Sequence, residues 1–359
     1  MSVPVPPTVT VTVGIKALNE DRHIADALAS ACAAALPLGG EVILADCGST
    51  DRTVEIARGF PARVLQLADP AQRSCGTGAQ LAFQQAHGRW FYLLDGDMVL
   101  DPHFLAAGIA FLEAHPDHAG VGGRVHEAVT SGIEFELRAR SDAEKGSAHA
   151  GEVDRLDCGG LYRAEAVRAA GYFADRNLHA FEEFDLGARL RARGWKLARI
   201  AVPAVSHHGH AQGGLALMLR RLRSGYAGAP GEVLRAALEQ GHWRQVLRDF
   251  AQLRFGVAIL GWWAALLICT LLPGLGLGFG LGWAHAGIAA LGLLALPVGY
   301  FTWRRGSLRL GLYSLATWNL NAIGLLQGVF RPRRTVREPI PAHDLGIGGS
   351  SGGGSSPPA

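Results

Sequence analysis

The N-terminal part of the chain alternates short apolar runs with helical patterns, and three of the runs lead into an acidic or amide side chain. Residues 8–15 alternate Thr and Val and lead to Asn19-Glu20-Asp21, 41–45 end at Asp46, and 91–94 end at Asp95. Helical patterns lie between them: one through Ile24, Ala27, Leu28 and Ala31 with Asn19 or Asp21 as N-cap, one over 52–58, and one over 79–86. A weaker strand is expected over 63–67. Strands alternating with helices give βαβ units and a mostly parallel sheet. Right-handed crossovers then line Asn19, Asp46 and Asp95 along one sheet edge, where open α/β sheets bind ligands.

Asp95-Gly96-Asp97 sits at that edge. In a strand, an i, i+2 spacing puts both carboxylates on one face. Gly96 interrupts the strand, which moves the pair to its tip. Two hard oxygen donors there suit Mg²⁺ or Mn²⁺ carrying phosphate; the same residues are also ordinary turn chemistry. With Asp46 and Asp51 they load one crevice with negative charge, which a divalent cation or the hydroxyls of a sugar nucleotide would relieve.

A length of 359 residues allows one large domain or two modest ones. The net charge of +3 is small, and no Lys/Arg block carries interleaved aromatics, so nucleic acid is not an expected partner. The five cysteines form no CxxC pair and no zinc spacing, and read as free thiols in a reducing compartment. Residues 1–7 lack the basic and apolar regions of a signal peptide, so the N-terminal domain is expected in the cytosol.

In order, these landmarks resemble the inverting family 2 glycosyltransferases of the GT-A fold. Val13-Gly14-Ile15-Lys16-Ala17-Leu18-Asn19-Glu20 looks like the family's first strand and Asn-Glu turn. Val42-Ile43-Leu44-Ala45-Asp46-Cys47-Gly48-Ser49-Thr50-Asp51 looks like its Asp-rich second strand and turn, and Asp95-Gly96-Asp97 like its DxD motif. The resemblance implies an α/β GT-A domain over 8–210, with a Rossmann-like, mostly parallel sheet. It implies that Asp46 accepts a hydrogen bond from the nucleotide base, with Ala17, Asn19 and Glu20 lining the pocket. Asp95 would face the ribose and the metal, and Asp97 would hold the metal that bridges the diphosphate. Cys47 stands where the family has a second Asp, which removes one polar contact. The loop 70–78 matches the family's small-residue loop only loosely, and Gly76 or Gly78 also reads as a helix cap. Arg73 could meet a phosphate or be a solvated loop residue.

Further along, Asp157-Cys158-Gly159-Gly160-Leu161-Tyr162-Arg163 looks like the family's glycine element beside the donor sugar, where Gly160 would let backbone approach a ligand. Residues 134–144 read as a charged, solvated helix. Phe181-Glu182-Glu183-Phe184-Asp185 alone is a well-charged helix start. After the DxD-like stretch it looks like the ED motif, whose second acid is the general base. That acid is Glu183, a Glu in place of the commoner Asp, with Glu182 able to share the task and Asp185 orienting the helix. His207-His208-Gly209-His210 follows a strand over 197–201; no partner Cys/His cluster supports zinc. The family places a histidine beside metal and diphosphate, and His207 fits best, with His208 second; solvated loop histidines are the other reading.

Beyond residue 210 the composition changes. Residues 211–254 interleave arginines with Leu, Val, Trp and Phe, as interfacial helices on an anionic membrane do. A QxxRW motif, which the family's polymer-extruding synthases carry, is absent here. Residues 255–272 and 283–301 are long and apolar enough to cross a bilayer. Arg304, Arg305 and Arg309 after the second run place that end in the cytosol. Residues 310–330 are either a polar-faced third span or an interfacial or re-entrant segment, within a membrane region of two or three segments over 255–335. The stretch 336–359 is expected to be a disordered tail. Together these readings imply an enzyme of a bacterial-type inner (plasma) membrane. It would use a nucleotide-diphospho-sugar donor and Mg²⁺ or Mn²⁺, and act on a lipid-linked or envelope-glycan acceptor. The alternatives are a polyprenyl-phosphate sugar synthase and a non-catalytic membrane scaffold.

Overall fold

The computed structural model describes residues 9–127, 150–156, 159–208, 214–271 and 283–349. The expected charged helix over 134–144, Asp157, Cys158, Gly209 and His210 lie outside the described residues. The chain forms two compact units, one of residues 1–131, 138–211 and 333–359, the other of 132–137 and 212–332.

The first unit is a mixed sheet covered by helices. Its parallel part runs β3 (Arg63–Leu67), β2 (Glu41–Asp46), β1 (Val11–Ala17) and β4 (Trp90–Asp95). Alternate side chains of these strands enter two different apolar clusters. Trp90, Tyr92 and Leu94 join Val13, Ile15 and Leu28 of α1 (Ile24–Ala35), whereas Phe91 and Leu93 join Leu81 of α3 (Cys75–Gln84) and Phe173. Burial on both faces is why these strands read as continuous apolar runs. The register sets Ala17 beside Asp46 and Lys16 beside Asp95, so the polar strand ends share one edge.

The other half of the sheet is largely antiparallel. β8 (Gly160–Arg163) pairs with β4 and with β6 (His118–Glu127), and β9 (Lys196–His207) pairs with β6 and with β5 (Met98–Leu100). The GT-A expectation holds, with a mixed rather than mostly parallel sheet. β9 runs six residues past the expected strand end and carries His207 opposite Met98, so this histidine stands on a strand, not in a loop. Pro203 is tolerated inside β9 because it pairs where the β6–β9 register shifts.

The expected disordered tail is also corrected. Residues Ala342–Ile347 form β10, antiparallel to β3 at the edge of the sheet. The segment has no apolar period; the open backbone of β3 and an Arg63–Asp344 ion pair at 2.7 Å recruit it.

The second unit is helical: α7 (Gly214–Arg223), α8 (Ala229–Gln240), α9 (Trp243–Asp249), α10 (Ala251–Leu271), α11 (Trp283–Arg305) and α12 (Leu308–Phe330). α10 and the His285–Arg305 part of α11 are long and apolar enough to cross a membrane. α8 departs from the surface-helix expectation: Pro230, Gly231, Glu232, Val233, Ala236 and Ala237 are buried, and Arg235 donates to the Val329 carbonyl at 3.0 Å.

Candidate active site

Two loops at the strand ends are laced together by side chains. The Asn19 N–H donates to Ser49 Oγ at 2.8 Å, and Asn19 Oδ1 accepts from the Thr50 N–H at 2.8 Å. The Glu20 N–H donates to Thr53 Oγ1 at 2.8 Å, and Asp51 accepts from the Thr53 hydroxyl at 2.6 Å. Asn19 holds φ +58°, a left-handed conformation in which Asn is less strained than most residues. Ala17 and Glu20 touch the DxD turn directly: a Cβ placed on Gly96 would lie 3.1 Å from Ala17 Cβ and 3.0 Å from Glu20 Cγ. The Gly96 N–H donates to the Lys16 carbonyl at 3.0 Å, which fixes the turn against β1.

Lys16 is the residue that sequence reasoning missed. Its ammonium lies 3.2 Å from Asp95 Oδ1 and 3.7 Å from Glu183 Oε1, and pairs closely with Glu182 Oε1. Burial opposes the lysine's charge, but Asp95, Glu182 and Glu183 outweigh it and raise its pKa well above the ordinary value. The available signal was a lysine inside an otherwise apolar strand, since a buried charge must find partners.

The two adjacent glutamates then differ. Glu182 is buried on Lys16, whereas the Glu183 side chain keeps 21% of its exposure. Burial, then repulsion from Glu182, pushes the Glu183 carboxyl up to about 8 against the pull of Lys16. Both head α6 (Glu182–Arg191), whose N-terminus favours negative charge. Phe181, just before them, holds φ +66°. Asn19 and Phe181 are the non-glycine residues with positive φ among the described residues, and both adjoin this crevice. Asp185 is fully buried and pairs with Arg189 at 2.8 Å, and that guanidinium in turn donates to the carbonyls of Tyr172 and Phe173. Asp185 therefore faces the helix packing and not the crevice.

Asp97 leads into β5 beside His207. His207 Nε2 lies 3.3 Å from Asp97 Oδ2, and Nδ1 lies 2.9 Å from Glu127 Oε2. The Asp97 hydrogen bond, helped by both carboxylate charges and opposed by burial, raises His207 to about 9. A carboxylate oxygen beside an imidazole nitrogen, with the other ring nitrogen held by a second carboxylate, is the donor chemistry of a divalent-cation site. Asp97 and His207 thus fit Mg²⁺ or Mn²⁺ completed by substrate phosphates. No cluster of three or more His, Cys, Asp or Glu with metal-holding geometry occurs among the described residues. Asp95, expected to share this metal, pairs with Lys16 at 3.2 Å and keeps 33% of its side-chain exposure.

Two other expected contacts shift. Asp46 is fully buried, with its carboxylate accepting from the Gly48 and Ser49 N–H groups and from Gln66 Nε2, each at 3.1 Å. It shapes the turn that presents Ser49 and does not face the crevice. Gly160 is buried in β8, where a Cβ would meet Leu156 and Tyr162 at 2.8 Å, so the packing of its own core accounts for it. The glycines at 76 and 78 lie inside the first turn of α3, whose N-cap is Ser74, accepting from the Thr77 N–H at 2.9 Å.

The GT-A-like sheet thus carries a lysine-bridged acidic crevice and an Asp–His pair at its strand ends. Residues 12–169 match the profile of glycosyl transferase family 2. Uncharacterized proteins of Mycobacterium tuberculosis and Mycobacterium bovis are 33% identical to the chain over 104 residues, 28% of it. The matched segment spans 30% of the length of those relatives. Among solved structures, S. aureus TarS 1-349 is similar with a TM-score of 0.51 at 16% identity, over 89% of this chain and 91% of that one. The same protein in complex with UDP-GlcNAc gives a TM-score of 0.50 at 16% identity, over 83% and 93% of the two chains. In another TarS structure the match covers 44% of that chain. At these identities the likeness is one of fold.

Proposed function

We propose that the chain is a membrane-anchored inverting glycosyltransferase of a bacterial-type inner membrane, with its catalytic domain in the cytosol. It moves a sugar from a nucleotide-diphospho-sugar to a lipid-linked or envelope-glycan acceptor. The observation that carries this reading is the partly exposed Glu183 beside Lys16 and Asp95, at the sheet edge that also holds Asp97 and His207. A protein of the same fold crystallised with UDP-GlcNAc supports a nucleotide-sugar donor, and two long apolar helices support the anchor.

In this mechanism Ala17, Asn19 and Glu20 line the nucleotide pocket, and Asp46 acts through the turn it holds. Glu183 takes the proton of the acceptor hydroxyl as that oxygen bonds to the anomeric carbon. The anomeric C–O bond to the diphosphate breaks in the same step, and its electron pair leaves with the phosphate. A positioned carboxylate base contributes about 10²–10⁴-fold. Asp97 and His207 would hold Mg²⁺ or Mn²⁺, which would supply charge stabilisation to the departing diphosphate. Lys16 keeps Glu182 and Asp95 from repelling the ionised Glu183.

A second reading, a polyprenyl-phosphate sugar synthase, draws on a cavity of about 530 Å³ lined by Leu219, Arg220, Arg223 and Ser224, a chemistry suited to a lipid phosphate. Screening nucleotide-sugars for manganese-dependent binding, then assaying transfer to free polyprenyl phosphate and to lipid-linked glycans, separates the two. Asp97→Ala is expected to remove the metal-dependent part of donor binding, and Glu183→Gln to remove transfer. Full transfer by both folded variants would overturn these residue roles, whereas absence of transfer by the wild-type chain with every nucleotide-sugar would leave the non-catalytic scaffold.

A further inference from the structure

The chain leaves the sheet-containing unit after Ala211 and returns to it at Arg333. The return is built in, not incidental. Arg333 pairs with the buried Asp175 at 2.6 Å, and the Gln84 side-chain amide bonds both the carbonyl and the N–H of Ile340, at 2.8 and 3.0 Å. The Ala68 N–H donates to the Pro341 carbonyl at 3.1 Å, and β10 then pairs with β3 in register Ala342↔Leu67. Residues 333–349 are therefore on the same side of any membrane as the candidate active site. The number of bilayer crossings between 211 and 333 must be even.

Three long helices lie in that interval. α10 and α11 offer apolar stretches of 21 residues each, with only 17% and 6% buried. At about 1.5 Å per residue each spans about 32 Å, enough for a hydrocarbon core of about 30 Å. α12 has 23 residues, so length alone would let it cross. An even count does not.

The packing of α12 agrees with the count. Near its start, a Cβ on Gly311 would lie 2.8 Å from the Thr302 nitrogen, in the last turn of α11. Near its end, a Cβ on Gly324 or Gly328 would lie 1.9 Å from the carbonyl oxygen of Ala227 or Gly228, both of which precede α10. Leu325 also packs on Gly256, close to the start of α10. Arg331 pairs with the buried Glu232 of α8. Both ends of α12 are thus held near the catalytic-side ends of α10 and α11 or by chain before them, while its centre meets α10, where the Trp263 indole N–H donates to Asn319 Oδ1 at 2.8 Å. Its exposed face is apolar: Leu308, Leu312, Ile323, Leu326 and Phe330, the last 80% exposed. Arg309 at one end and Arg334 at the other, exposed in the structure, suit anionic headgroups.

We propose that α12 enters and leaves the bilayer on the catalytic side, with both ends at that surface, its centre reaching Trp263 partway along α10, and its apolar face in the acyl chains. This rests on the reading of α10 and α11 as a membrane-crossing hairpin. The test is labelling of sealed cells by a membrane-impermeant maleimide, using the full chain in a background in which Cys32, Cys47, Cys75, Cys158 and Cys269 are all replaced by Ser or Ala. Four single variants are compared: Thr270→Cys at the end of α10, Ser307→Cys and Thr335→Cys flanking α12, and Leu326→Cys on its apolar face. The expected result is external labelling of Thr270→Cys alone. Ser307→Cys and Thr335→Cys label only after permeabilisation, and Leu326→Cys labels only after the membrane is dissolved in denaturing detergent, which also shows that each variant is present. External labelling of both Thr270→Cys and Thr335→Cys would make α12 a third span and overturn the proposal while keeping the anchor. Labelling of Leu326→Cys as readily as Thr335→Cys would remove the lipid contact. A Thr270→Cys chain that stays unlabelled outside and washes off membranes with alkaline carbonate would overturn the membrane reading itself, and this proposal with it.

Discussion

Replacing Lys16 by Met isolates the contribution of the internal cation. The side chain is 13% exposed, and its removal leaves Asp95, Glu182 and Glu183 facing one another. At an effective dielectric of about 20, a unit charge at the observed 3.7 Å is worth about 4.5 kcal/mol to an ionised Glu183, or roughly three pKa units. Side-chain relaxation and entering water relieve part of that load, leaving a net rise of about one to two units. A base must be ionised to act, so activity climbs as pH rises through the pKa of Glu183. Raising that pKa moves the climb to higher pH and lowers the rate at neutral pH roughly ten- to a hundredfold. The assay is the pH profile of transfer at saturating donor, with Lys16→Arg as the charge-conserving control. An unshifted profile in Lys16→Met, with the rate reduced equally at every pH, would refute the electrostatic role.

Other expectations follow from the same contacts. The carboxyl of Glu183 is raised in the folded chain, so between about pH 4.5 and 8 the native state binds more protons than the unfolded state and stability falls as pH rises. Glu183→Gln should therefore stabilise the domain at pH 8 by on the order of a few kcal/mol, and not at pH 4, while removing transfer; thermal unfolding at the two pH values checks this. Asn19→Ala loses the bond to the Thr50 N–H and strains a φ of +58°, for a cost of about 2 kcal/mol, whereas Asn19→Gly keeps the conformation and costs about half as much in denaturant unfolding. Arg333→Ala leaves the fully buried Asp175 without its ion-pair partner, and is expected to cost about 3–5 kcal/mol and to raise exchange of the amides of β3 and β10.

The parts of the fold that were legible in the sequence are those where burial on both faces leaves a continuous apolar run. The approaches to Asp46 and Asp95 are such places. Likewise the acidic start of α6 stood out, because charge in a first helical turn has a local electrostatic cause. Lys16 was hidden because its partners come from β4 and α6, far away in sequence, and only the β1–β4 register brings Asp95 beside it. Asp46 and Gly160 carried the right residue types for a ligand site, yet local turn and core packing engage them. β10 could not be seen in a Gly- and Ser-rich tail, since what holds it is the unpaired backbone of β3, a property of the sheet and not of the segment.

The most direct test of the account is the split between donor binding and turnover in Glu183→Gln. The account predicts that the variant binds the nucleotide-sugar with wild-type affinity in the presence of Mn²⁺ and transfers it about 10²–10⁴-fold more slowly. Wild-type turnover in a correctly folded Glu183→Gln protein would contradict it.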